Sequence, residues 1–188
     1  MKNKGFTLME LLIVIGVLGI LAAGLLAAID PFEQLKKARD SNYRSGGIEL
    51  LQSLQRYYAN HGYFPWRGNG TTCATTNATT LAVEPAVASL AAAVVKVGAN
   101  QDGAIGSCLD ELVSDGELKS TFSQGLNTTL YLSSWSKTNL RVCYSPESKS
   151  IRNDAQVNLH LTSGTPPLIA EGCTEAQRLV GECVQCFQ

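Results

Sequence analysis

The sequence predicts an α+β protein. A long N-terminal helix, half membrane-spanning and half amphipathic, packs on a small antiparallel β-sheet, and disulfides staple the C-terminal tail. Three observations carry this reading. No residue from Leu11 to Ile29 is charged. From Glu33 to Tyr58 apolar residues recur at helical spacing, and beyond Thr128 they alternate as in strands. All six cysteines lie after the apolar run. The 188 residues suffice for one domain plus an anchor. With 15 Lys and Arg against 16 Asp and Glu, there is no basic surplus to point to nucleic acid.

The first helix begins after a short basic leader. Leu11 to Ile29 would extend about 28 Å as a helix, against a bilayer core of roughly 30 Å. Lys2 and Lys4 precede it and favour a cytoplasmic N-terminus, with the rest of the chain outside. A secretory signal or a plain anchor would also be apolar. An ordinary signal, however, is cut after its apolar region, and here the only short polar leader lies before Gly5. A plain anchor has no use for Glu10, because a carboxylate within an apolar span costs on the order of 2.5–3.5 kcal/mol. A cut between Gly5 and Phe6 would create an ammonium group on Phe6, one helical turn from Glu10. Gly16, Gly19, Ala23 and Ala27 share one helix face and would let another helix approach closely.

The run Gly5-Phe6-Thr7-Leu8-Met9-Glu10-Leu11-Leu12, behind a basic leader, resembles the type IV pilin and type II secretion pseudopilin family. The resemblance covers about the first third of the chain. It implies that a membrane prepilin peptidase cuts between Gly5 and Phe6 and methylates the new amine of Phe6. It implies that Glu10 pairs with a neighbour's N-terminus during filament assembly. The implied partners are other pilin subunits, the peptidase, an assembly platform protein and its ATPase, and the membrane. The implied location is the inner membrane as a single-pass precursor, then an extracellular or periplasmic filament. The expected division is a leader (1–5), a transmembrane and filament-core helix (6–29), the amphipathic half (30–59) and an extracytoplasmic globular domain (60–188).

Asp30-Pro31-Phe32-Glu33 reads as a fresh helix start, with Asp30 as cap and Pro31 as a kink. One spine of about 54 residues is nevertheless expected to run to Tyr58. Glu33 with Lys37, and Asp40 with Arg44, read as solvated pairs at spacing four. Ile48, Leu51, Leu54 and Tyr58 form the apolar stripe, with Leu50 and Tyr57 beside them. Asn60-His61-Gly62 and Pro65 stop the helix. Arg67 to Thr80 is a loop rich in Gly, Thr and Asn, with glycosylation-type sequons at Asn69 and Asn77.

Glu84-Pro85 predicts a helix running to about Val97, and Ser107 predicts the cap of a short helix ending at Gly116. Thr128–Trp135, Leu140–Tyr144 and Ser148–Arg152 predict strands, the sheet burying the helix stripe on one face and leaving the other to solvent. From Gly164 the tail reads as irregular. Cys73, Cys108, Cys143, Cys173, Cys183 and Cys186 are disulfide candidates, with 15 possible connectivities. Cys183 and Cys186 form a Cys-x-x-Cys, but no strand–helix–strand context for a redox motif surrounds it.

No catalytic set is predicted, nor a cofactor or metal. His61 and His160 are the only histidines. Asp102, Asp110, Glu111, Asp115 and Glu117 lack the ligand spacing of a calcium loop and read as solvated surface. The expected function is a structural filament subunit serving adhesion, motility, DNA uptake or secretion. The alternatives are a type II secretion pseudopilin and a minor tip pilin. In the tip-pilin reading Trp66, Arg67, Trp135 and Lys137 would contact DNA or a surface ligand.

Overall fold

The computed structural model describes residues 5–28, 30–67, 73, 94–98, 105–126, 128–134, 139–161 and 169–188. It contains two compact units, one ending at Leu35 and the other running from Lys36 to Gln188.

The first unit holds helix α1 (Leu8–Ala28) and the start of α2 (Pro31–His61). The expected single spine is therefore two helices. Asp30 is not helical, because it works as a cap. Its Oδ1 accepts the N–H of Phe32 at 3.1 Å and of Glu33 at 3.2 Å. Pro31 takes the first helical position, where its missing N–H costs nothing. It also biases the residue before it away from helical angles.

The second unit is organised on α2. Asp40, Tyr43, Gly47, Leu50, Leu51, Leu54 and Tyr57 form its buried face. This face is turned by about one residue from the expected stripe, for Ile48 and Tyr58 are only half-buried. At Gly47 the sheet comes close to the helix, leaving room for a small side chain but not a large one. A Cβ would stand 3.6 Å from both the Phe187 ring and Val142. As the sequence predicts, α2 stops at His61. Gly62 turns left-handed at φ 78°, and its N–H donates to the Tyr58 carbonyl at 2.7 Å.

The sheet has six strands among the described residues: β1 (Val94–Gly98), β2 (Thr129–Ser134), β3 (Leu140–Tyr144), β4 (Leu159–Leu161), β5 (Ile169–Glu171) and β6 (Cys183–Phe187). Their order is β1-β2-β3-β6-β4-β5, and every pairing is antiparallel. Strands β2 and β3 lie where alternation places them. Leu130 and Leu132 of β2, with Leu140, Val142 and Tyr144 of β3, join the α2 residues in one core.

Several expectations need correction. Val94–Gly98 is an edge strand and not the end of a helix. Its β-branched valines suit the pleat, and Glu84 to Ala93 lie outside the described residues. Ser148–Arg152 is no strand but a one-turn helix, α5 (Lys149–Arg152). The short helix α3 (Gly106–Ser114) starts one residue before Ser107, with Ile105 in the cap position. A single turn, α4 (Phe122–Gly125), follows it.

The largest correction concerns the tail from Ile169 to Gln188, which is regular and central. Helix α6 (Glu175–Val180) has a Thr174–Gln177 capping box and a left-handed Gly181 end. Strand β6 then inserts between β3 and β4, with Cys143 opposite Cys186 and Leu159 opposite Val184. The sheet's second face is therefore not left to solvent. It carries a small cluster of Cys143, Ile169 and Val184, with Tyr131, Leu159 and Leu161 against it.

Candidate functional site

At the head of α1, Thr7 and Glu10 form a capping box. The Thr7 N–H and hydroxyl both donate to Glu10 Oε2, at 3.0 and 2.8 Å, and the Glu10 N–H donates to the Thr7 hydroxyl at 3.2 Å. The box satisfies backbone donors that every helix start leaves open. The first helical bond, from the Leu11 N–H to the Thr7 carbonyl, follows at 3.3 Å. Both bonds to the carboxylate use Oε2, so Oε1 has no partner among the described residues. Gly5, Phe6 and Glu10 are all exposed. In this uncut chain the Phe6 nitrogen is an amide, so it offers no ammonium to Glu10.

Sequence reasoning singled out Glu10 but missed Thr7. The signal was available, as a Thr-x-x-Glu ahead of an apolar run. Leu8–Leu26 spans 19 residues and is long and apolar enough to cross a membrane. At about 1.5 Å per residue it nearly matches a bilayer core. Its large side chains are exposed, Leu8 at 82% and Ile20 at 75%. Gly16, Gly19 and Gly24 have open space where a Cβ would stand.

The cysteines pair as Cys73–Cys108, Cys143–Cys186 and Cys173–Cys183. The two cysteines of the Cys-x-x-Cys therefore bond elsewhere, and three residues apart on a strand they point to opposite faces. No redox pair is formed between them.

The acidic residues near α3 do more than face solvent as expected: three of them hold the end of α2. Glu117 accepts from Arg56 Nε at 2.7 Å and from Asn60 at 2.9 Å. Asp115 meets His61 at 2.9 Å, and Glu111 accepts from the Tyr57 hydroxyl at 3.4 Å. His61 also stacks on Tyr57. Asp110 is exposed, and Asp102 lies outside the described residues.

Asp40 departs furthest from its expected solvated pair with Arg44. It is fully buried, and its carboxylate accepts the N–H of Glu147 and of Ser148, each at 2.8 Å. Glu147 reaches back to Arg39 at 2.6 Å and to the Tyr43 hydroxyl at 3.0 Å. Trp66 is 1% exposed and stacks on Phe64, which removes it from any surface contact with a ligand. Trp135 and Lys137 lie outside the described residues.

Comparison with known proteins bears on the head of the chain. Residues 1–26 match the prokaryotic N-terminal methylation motif. The chain is similar to a fimbrial protein of Neisseria meningitidis serogroup B, 39% identical over 69 residues, or 37% of this chain and 38% of the relative. It is similar to the type IV major pilin protein PilE of Neisseria gonorrhoeae, 39% identical over 63 residues, or 34% of this chain and 36% of the relative. A fimbrial protein of N. meningitidis serogroup A is 35% identical over 77 residues, 41% of this chain and 43% of the relative. The chain thus spans about two fifths of the length of the curated relatives it matches. No solved structure matches it.

Proposed function

We propose that this chain, which carries the N-terminal methylation motif and a pilin-like first third, is a structural subunit of a type IV pilus-like filament. One observation supports this above the others: an apolar helix with exposed side chains bears a carboxylate on its first turn, four residues beyond Phe6. In this reading a prepilin peptidase cuts after Gly5 and methylates Phe6, and the freed ammonium of one copy pairs with Glu10 of the next.

The capping box suits that role. Thr7 holds Oε2 and orients the carboxylate, while Oε1 remains for the neighbour's amine. Away from water such a charge pair is far stronger than on a wet surface, so it can select the axial register between copies. The open faces at Gly16 and Gly19 let helices of adjacent copies approach.

The experiment is co-expression with a prepilin peptidase, followed by mass spectrometry and shearing of surface fibres. The expected product lacks residues 1–5 and carries one added methyl group. Gly5→Leu should remain uncut. Glu10→Leu should be cut and membrane-inserted yet yield no fibres. A purified parent chain still beginning at Met1, or a normal fibre yield from Glu10→Leu, would overturn the reading.

A further inference from the structure

A cleft of about 220 Å³ lies between α5 and α6, lined by Lys149, Arg152, Asn153, Glu175, Arg178 and Leu179. Its two arginines are held by carbonyl oxygens. Arg152 donates through Nε to the Pro146 carbonyl at 2.8 Å and through Nη1 to the Leu179 carbonyl at 3.4 Å. Arg178 donates through Nη1 to the carbonyls of Arg152 at 2.6 Å and Asp154 at 3.3 Å. Neither guanidinium forms an ion pair with a carboxylate among the described residues.

A guanidinium has five N–H donors. Among the described residues, Nη2 of Arg152 and Nε and Nη2 of Arg178 have no hydrogen-bond partner. The carbonyl bonds fix both groups without neutralising them, so little side-chain entropy is lost when an anion arrives. Planar guanidinium groups suit the paired oxygens of a carboxylate or similar oxyanion.

The other walls narrow the ligand further. Asn153 can both donate to and accept from a hydroxyl, and Glu175 can accept from one. Glu175 also repels a bare polyanion. Leu179 is 74% exposed beside the cleft and Val180 is 71% exposed. These two are the large apolar side chains left open on the Lys36–Gln188 unit, among the described residues. The cleft is smaller than the roughly 300–1,000 Å³ typical of drug-sized sites, so it suits a single ring.

We propose that this cleft binds an acidic sugar. The acid group would sit on Arg152 and Arg178, ring hydroxyls on Asn153 and Glu175, and the apolar ring face on Leu179. The site lies wholly within the second unit, so it stands or falls independently of filament assembly.

The test is calorimetric titration of the full chain in detergent micelles with glucuronic acid, glucose or inorganic sulfate. Saturable binding of glucuronic acid is expected, with glucose weaker by about tenfold or more, the worth of one charge-assisted bond. Arg178→Gln should weaken glucuronic acid binding by a similar factor. Because Arg178 also bonds the backbone, Lys149→Gln serves as a second variant, and thermal unfolding of both is compared with the parent. Four outcomes would each overturn the proposal: no saturation with glucuronic acid, glucose binding equally well, sulfate alone binding as tightly, or both folded variants binding like the parent.

Discussion

Asp40 shows how much one residue can hold. A carboxylate removed from water is tolerated only when its oxygens are bonded, and here two backbone N–H groups meet it. Asp40→Ala leaves those donors without their acceptor. It should lower the unfolding free energy by about 3 kcal/mol, measured by urea titration, whereas Asp40→Asn keeps one acceptor and should cost less. The buried tyrosines give a second test. Burial, then the charge of Glu111, pushes the Tyr57 hydroxyl up to about 12. Burial, then the charge of Asp40, does the same for Tyr144, also to about 12. A group that holds its proton more tightly when folded stabilises the fold fully below its unfolded pKa. Stability should therefore hold up to about pH 10 and fall as pH rises through about 12. Unfolding curves across that window would read it, and Tyr57→Phe should lessen the loss.

At the scale of elements, α2 carries the domain through a face that meets the sheet at Gly47. A Cβ there meets Phe187 and Val142 at ordinary contact distance, 3.6 Å. Gly47→Ala should thus gain helix propensity, about 1 kcal/mol, without a clash. Gly47→Leu should lose about 1–3 kcal/mol by overpacking the sheet, and thermal unfolding separates the two signs. Both ends of α2 are legible in the sequence, since Asp30, Pro31 and Gly62 act through their immediate neighbours. The one-turn helix α5 is not. Asp40 binds the N–H groups where it begins, from 108 residues away, and nothing within Ser148–Arg152 announces that.

For the whole molecule, the decisive piece is β6. It joins the β1-β2-β3 half of the sheet to β4 and β5, and the Cys143–Cys186 bond locks it to β3. Replacing both cysteines by alanine should cost about 2–5 kcal/mol, read by denaturant unfolding under oxidising conditions against the same titration in reductant. Of the proposed assembly site, Gly5, Phe6 and Glu10 were singled out from the sequence, whereas the Thr7 half of the capping box was overlooked. The valine-rich end of the expected 84–97 helix proved to be a strand, because five residues of that kind take their state from the neighbour they pair with.

The apolar helix near the start and the caps at Asp30 and Gly62 could be read from sequence alone. Each depends on groups within a few residues of one another, so local chemistry suffices. Which cysteines join, why Asp40 is buried and why the tail lies mid-sheet were settled only by tertiary structure. Those contacts join residues far apart along the chain, and no spacing in the sequence records which distant partner a strand or a carboxylate will meet.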